Sequence, residues 1–182
     1  MKIGEFKFDE LLSFDPHWGQ ILFKGEDIRT MSAESFGDLL NETINIAGPN
    51  MARVLMKHIG RTAGKSDAYA IRETRRIGTD LDWLAFTPAI RTWEGIVEGV
   101  PETLDIDRKS GRFYIKGIWK NSFFAEQYVR HFGKSKDPVC WLLDGYATGY
   151  ASEFFGAHLV ARELTCRGRG DDACRFEIAP MQ

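Results

Sequence analysis

Residues 159–179 read LVARELTCRGRGDDACRFEIA, and their pattern decides how the rest of the chain is arranged. Residues 159–165 and 173–179 each have strand length and β-compatible composition, and the intervening Arg167-Gly168-Arg169-Gly170-Asp171-Asp172 is turn chemistry. The reading is a C-terminal antiparallel hairpin with Cys166 and Cys174 flanking its turn at one end. Glu163 stands three residues before Cys166. The third cysteine, Cys140, lies at the start of the preceding helical segment and would tie that helix to the hairpin. Three thiols and a carboxylate suit zinc, which takes four such donors in a tetrahedron. The same residues also read as three small buried apolar side chains and an exposed glutamate. Four protein ligands would make the site closed and structural, with no open position to activate water.

Outward from the hairpin, residues 140–155 read as a helix in which Gly145, Gly149 and Ser152 allow close packing, capped by Gly156. Residues 122–132 form another helix, with Phe124, Tyr128, Val129 and Phe132 on one side. The middle third reads as strands at 91–100 (RTWEGIVEGV), 103–107 and 112–119, the last two joined by a Lys109-Ser110-Gly111 turn. Alternation puts Phe113, Ile115, Gly117 and Trp119 on one face, and Arg91 with Trp93 on one face of their own strand.

Earlier still, residues 19–32 suggest a hairpin turning at Lys24-Gly25-Glu26-Asp27. Phe36, Leu39, Leu40, Thr43, Ile44 and Ala47 recur at helical spacing until Gly48, with Pro49 placed to begin the next helix. That helix carries Met51, Val54, Leu55, His58 and Ile59 and closes at Gly60. A third spans 66–76 and ends in Arg72, Arg75 and Arg76, read as a solvated helix end. The fold class is α+β: an antiparallel sheet with packed helices and a zinc-bound C-terminal hairpin.

The 182 residues are the size of one domain, and 43% hydrophobic, 13% aromatic and 27% charged residues describe a folded chain. A net charge of −2 offers no basic footprint for nucleic acid, so no direct contact with it is expected. Short, charge-interrupted apolar runs cannot span a bilayer, and the acidic MKIGEFKFDELLSFD start lacks a signal peptide's apolar core. The expectation is a cytoplasmic protein whose odd cysteine count argues against a disulfide framework. His17, His58, His131 and His158 show no metal spacing or nucleophile partner. No Gly-x4-Gly-Lys-Ser/Thr loop or Gly-x-Gly-x-x-Gly fingerprint is present, so no enzyme is expected.

From about residue 88 to 178 the chain resembles the sensor domain of the XylR/DmpR-type activators of aromatic catabolism, which work with sigma-54 polymerase. The resemblance is carried by Leu104-Asp105-Ile106-Asp107, Gly111-Arg112-Phe113-Tyr114, Trp119, Asn121-Ser122-Phe123 and Asp137-Pro138-Val139-Cys140-Trp141. It continues through Gly145-Tyr146-Ala147, Tyr150-Ala151-Ser152, Glu163, Cys166-Arg167-Gly168 and Cys174-Arg175. Residues 20–67 are similar in layout and weaker in identity. The C-terminal part is of the 4-vinyl-reductase type. The resemblance implies a structural Zn2+ on Cys140, Glu163, Cys166 and Cys174, a buried aromatic-lined pocket for a hydrophobic or aromatic small molecule, and a homodimer. It implies one ligand-sensing domain over 1–182, with a strand/helix dimerisation part at 1–80 and the pocket and zinc part at 81–182.

By that resemblance Trp119 matches a tryptophan that contacts the ligand hydroxyl, while Arg91 stands where the family has a histidine. Leu84, Gly117 and Ala161 replace aromatic residues, and Trp93 replaces a smaller aliphatic one, which implies a reshaped and enlarged pocket. Tyr146 and Tyr150, one helical turn apart, either line the pocket or cover the sheet. Arg91 is read in two ways: as a fixed charge that recognises an anionic ligand, or as a partner of Glu94 or Glu98 or of solvent. The family's activators continue into an ATPase and a DNA-binding module, so this chain is expected to act on such a module or on a separate partner. Two other functions stay open: an auxiliary or carrier role for a tetrapyrrole or lipid-like ligand, and a scaffold of the same fold.

Overall fold

The computed structural model describes residues 12–23, 26–28, 30–74 and 79–181. Lys24 and Gly25 of the expected turn, Arg75 and Arg76 of the basic cluster, and the N-terminal segment 1–11 lie outside the described residues. Three short antiparallel strands come first: β1 (Leu12–Asp15), β2 (Gln20–Phe23) and β3 (Glu26–Ile28). Then follow α1 (Ala33–Thr74), α2 (Asp80–Trp93), β4 (Glu98–Asp107), β5 (Arg112–Lys120), α3 (Phe123–Phe132), α4 (Trp141–Phe155), β6 (Leu159–Thr165) and β7 (Cys174–Pro180). The last four strands form an antiparallel sheet in the order β4-β5-β7-β6, and the α+β reading holds. The early hairpin exists, but Glu26 and Asp27 belong to β3 rather than to the turn, and β1 is an additional strand.

α1 breaks where its sequence says it must. Gly48 has φ 73° and ψ 158°, a conformation cheap only for glycine, and Pro49 starts the second segment. Contrary to expectation, that segment does not close at Gly60 but continues to Thr74, absorbing the separate third helix. Gly60 and Gly64 are buried against α4. A Cβ at Gly60 would overlap the Leu142 carbonyl, and one at Gly64 the Tyr146 carbonyl. Gly145 and Gly149 meet the Lys57 and Arg61 carbonyls in the same way, so the two helices run parallel, backbone against backbone. Glycine costs a helix interior about 1 kcal/mol relative to alanine, and here it permits a contact that no side chain would allow.

The largest correction concerns residues 91–100, whose first three residues are helical. α2 begins at a capping box: the Asp82 N–H donates to Thr79 Oγ1 and the Thr79 N–H to the Asp82 carboxylate, both at 3.2 Å. It accommodates Pro88, and Thr92 Oγ1 donates to the Pro88 carbonyl at 2.8 Å. Arg91 and Trp93 are therefore about 200° apart around a helix and share no face. After Gly95 (φ 72°) the chain enters β4, which joins the expected 91–100 and 103–107 strands into one, with an irregularity at Pro101/Thr103. β4 is an edge strand, where proline is tolerated.

On β5, Phe113, Ile115, Gly117 and Trp119 are all buried, as alternation requires. α3 is capped by Ser122, whose Oγ accepts the Ala125 N–H at 3.4 Å; Phe124, Ala125 and Gln127 are buried, while Val129 and Phe132 are exposed. The apolar side of α3 is thus narrower than its composition suggests. The main core runs from Leu40 on α1 to Ile178 on β7. A second cluster, Ala68, Ile71, Phe86, Tyr146 and Tyr150, fills the junction of α1, α2 and α4.

Candidate functional site

Cys140 is the N-cap of α4, Glu163 lies on β6, Cys166 follows that strand, and Cys174 opens β7. The hairpin and the helix start bring one donor atom of each within 4.8 Å of all the others. The three sulfurs are 3.8, 3.9 and 4.0 Å apart. A tetrahedron with metal–sulfur bonds of about 2.3 Å has edges of about 3.8 Å, whereas a disulfide would need about 2.05 Å. The cysteines are fully buried, and Glu163 Oε1 is buried without a protein partner while Oε2 accepts the Cys140 N–H at 2.9 Å. An orphaned carboxylate oxygen beside three thiols is what a metal-ligand set looks like.

The surrounding backbone prepares the sulfurs for negative charge. The Gly168 and Val139 N–H groups donate to Cys166 Sγ at 3.3 and 3.5 Å, and the Arg167 N–H to Cys174 Sγ at 3.3 Å. Gly168 is needed here, since a Cβ would collide with the Val139 side chain. Asp171 accepts the Cys166 N–H at 2.7 Å and fixes the turn. Burial pushes the Cys140 thiol well above its ordinary value, and burial, with Cys166 adding to it, raises the Glu163 carboxyl to about 8. Hydrogen bonds from the Cys140 and Cys174 thiols pull Cys166 down. Full ionisation of the four groups thus needs a cation at their centre, and the donor set fits one.

The eight expected ligand residues fall into two neighbouring groups and one outlier. Trp119, Gly117 and Ala161 are buried in the sheet. Trp119 stacks on Phe176 (centroids 4.6 Å, planes 15° apart), and the Ala161 N–H donates to Thr148 Oγ1 at 2.8 Å. At Gly117 a Cβ would lie 3.0 Å from the Phe176 ring and would overlap the Val100 carbonyl, so Phe176 occupies the space expected to enlarge the pocket there. Leu84, Arg91, Tyr146 and Tyr150 meet at the α1–α2–α4 junction, with Leu84 packed against both clusters. The tyrosine rings are stacked at 6.3 Å, and their hydroxyls donate to Asp67 and to the Trp83 carbonyl, each at 2.6 Å. Trp93, 39% exposed on the last turn of α2, is the outlier.

Arg91 does not present a free charge. Its guanidinium binds Asp67 and Glu94, both at 2.7 Å, and lies 4.7 Å above the Tyr146 ring. The pairing with Glu94 is one of the two sequence readings; Asp67 is a partner the sequence did not suggest. Thr87, Trp83 and Phe176 were also missed. For Thr87 the available signal was the Thr79-x-x-Asp82 capping box, which announces a helix and puts Thr87 and Arg91 one turn apart on a single face. A separate cavity of about 20 Å³ between α1, α3 and α4, bordered by Asn41, Met56 and Gln127, contains none of the eight residues and has room only for water.

Comparison with known proteins gives a consistent picture. A family described as "Activator of aromatic catabolism" matches residues 7–107, and the 4-vinyl-reductase type domain family matches residues 119–180. The transcriptional regulatory protein XylR of Pseudomonas putida is 30% identical over 156 residues, 86% of this chain and 28% of that protein. The phenol regulator MopR of Acinetobacter guillouiae is 29% identical over 168 residues, 92% of this chain and 30% of that protein. This chain thus spans less than a third of the length of these relatives. The crystal structure of the phenol-responsive sensory domain of the transcription activator PoxR with phenol superposes with TM-score 0.86 at 31% identity, covering 98% of this chain and 88% of that one. A vinyl-4-reductase family protein from Methanocaldococcus jannaschii shares the fold at TM-score 0.50 and 17% identity, over 85% of each chain.

Proposed function

Since the chain belongs to the activator of aromatic catabolism family, we propose that it is a sensor domain that binds a hydrophobic, aromatic small molecule and so controls a transcription activator. The observation that carries this reading is the likeness, over 98% of the chain, to a sensory domain that responds to phenol. The two curated relatives are regulators, which supports a regulatory rather than an enzymatic role. A ligand changes output by binding one arrangement of the sensor better than another, so its output would be an altered contact with an ATPase and DNA-binding module or a separate partner.

Zinc would be held by Cys140, Glu163, Cys166 and Cys174. When bound it supplies charge neutralisation and a cross-link, with no open position for catalysis. The residues themselves do the rest: Cys140 anchors the start of α4, and Glu163, Cys166 and Cys174 anchor the β6–β7 hairpin. The helix carrying Tyr146 and Tyr150 is thereby fixed against the strands carrying Ala161 and Phe176. The N-terminal part, 1–80, would pair two copies. Leu39, Ile46, Met51, Val54 and Ile59 on α1 are all more than half exposed, and a second copy would cover such a stripe. Residues 81–182 would carry the pocket and the metal. Among the described residues no helix is long and apolar enough to cross a membrane.

The test is calorimetric titration of the zinc-loaded protein with toluene, 4-methylphenol, a long-chain fatty acid and a tetrapyrrole. Saturable binding of the aromatics at one site per chain is expected. Binding of the acyl chain or the tetrapyrrole with no response to the aromatics would replace this reading with a carrier or scaffold role.

A further inference from the structure

We infer that this chain selects neutral aromatics bearing a hydrogen-bonding oxygen and rejects anionic ones, with Asp67 and Glu94 setting the charge rule around Arg91 and Thr87 reading the oxygen. The inference rests on the sensor reading and narrows its ligand class.

The charge rule follows from how Arg91 is used. One terminal nitrogen binds Asp67 and the other binds Glu94, each at 2.7 Å, and one face of the guanidinium covers the Tyr146 ring. One cation with two carboxylates leaves the trio with a net charge of −1. A carboxylate ligand would have to displace one of these partners or lie beside uncompensated negative charge in a partly buried site. The other cation over this cluster, Arg72, 5.7 Å from the Trp83 ring centroid, is bound to Glu153 at 2.7 Å. An arginine at this position reads from sequence as an anion receptor; the geometry gives it the opposite effect.

The oxygen reader follows from what is left unpaired. Thr87 is 4% exposed, and its Oγ1 has no partner at hydrogen-bond geometry. The Tyr150 hydroxyl adjoins Thr87, which counters part of the upward push that burial gives the phenol, but its own proton is committed to the Trp83 carbonyl. Arg91 Nε, one turn further along α2, is likewise buried and unpaired. A buried hydroxyl and a buried N–H without partners are costly, and both lie on the helix face that packs against Tyr146 and Tyr150. The hydroxyl of Thr87 can donate or accept, and Nε can only donate, so together they suit a phenolic hydroxyl or a carbonyl. Leu84, Phe86, Ile90 and the two tyrosine rings supply apolar surface around them.

The experiment is calorimetric titration of the zinc-loaded protein at pH 7 with toluene, 4-methylphenol and 4-methylbenzoate, which share a ring and a methyl group. The wild-type chain should bind 4-methylphenol at least about 30-fold more tightly than 4-methylbenzoate, since a site that would leave buried polar groups unpaired discriminates strongly. Thr87→Val should weaken 4-methylphenol about tenfold, the worth of one hydrogen bond, and leave toluene unchanged. The double variant Asp67→Asn, Glu94→Gln should narrow the preference over 4-methylbenzoate about tenfold or more, with its toluene affinity reporting an intact fold. If that variant does not fold, the wild-type preference and Thr87→Val still decide. Binding of 4-methylbenzoate within about threefold of 4-methylphenol, or equal loss of toluene and 4-methylphenol in Thr87→Val, would overturn the inference and leave the sensor reading intact. Failure of all three probes to bind would remove the sensor reading and this inference with it.

Discussion

Glu163 is the residue on which the metal centre turns. Its Oε2 already serves the Cys140 N–H, and its Oε1 is buried with no protein partner. Without a cation the carboxyl pays for its burial by holding its proton; with one it becomes the fourth anionic donor. Glu163→Gln should lower zinc affinity by about 10- to 100-fold, of the order seen when a group fixing a metal site is removed, read by competition with a chelating dye. Unchanged affinity would leave a three-thiol site. The four ligands were legible in the sequence because a hairpin turn places its flanking residues together with little dependence on the rest of the fold. Arg91 was not legible in the same sense. Its residue type suggested a charge for a ligand, but its meaning depends on Asp67, 24 positions away, which only the packing of α1 on α2 brings near.

At the scale of elements, the α1–α4 contact positions both tyrosines of the ligand cluster. Gly60, Gly64, Gly145 and Gly149 each touch backbone of the opposite helix, so there is no side chain to move aside. Gly149→Leu should cost about 1–3 kcal/mol or more through overpacking, seen as a lower denaturation midpoint, and should weaken aromatic binding by displacing Tyr150. A neutral effect would mean that the helices are not in backbone contact. Gly145 and Gly149 were legible as packing glycines, whereas Gly60 read as a helix stop, because glycine marks helix ends and close crossings alike. Residues 91–100 were misread for a related reason. Trp, Ile and Val suggested a strand, while the capping box at Thr79/Asp82 and the burial of Phe86 and Ala89 decide for a helix up to Trp93.

The β4–β5 turn offers an element-scale test of pH dependence. The Ser110 hydroxyl and the Lys109 N–H donate to Asp107 at 2.7 and 2.9 Å, and they hold its carboxyl below the ordinary 3.8, the Ser110 bond contributing most. A lowered folded-state value means that the contribution is fully present above about pH 3.8 and is lost as the pH falls through the folded value. NMR titration should show an Asp107 midpoint below 3.8 that rises towards it in Ser110→Ala. An unmoved midpoint would show that the turn does not tune this carboxyl.

For the whole molecule, the metal, the hairpin and the ligand cluster form one mechanical unit. Cys140 begins the helix that carries Tyr146 and Tyr150, and Cys174 begins the strand whose Phe176 stacks on Trp119. Removing the metal would therefore loosen both groups of ligand residues together, and the metal-free chain should melt at lower temperature and bind aromatics more weakly. The α+β class and the main sheet were readable from alternation and turn chemistry. The second cluster between α1, α2 and α4 was not, because it is assembled from three helices whose mutual placement no local pattern specifies.

The most direct test of the central claim is native mass spectrometry of the purified protein before and after a strong chelator, paired with thiol labelling. The account predicts one zinc ion per chain, with Cys140, Cys166 and Cys174 unreactive until the metal is removed, and loss of the ion in Cys174→Ser. A metal-free folded chain whose three thiols label freely would contradict it.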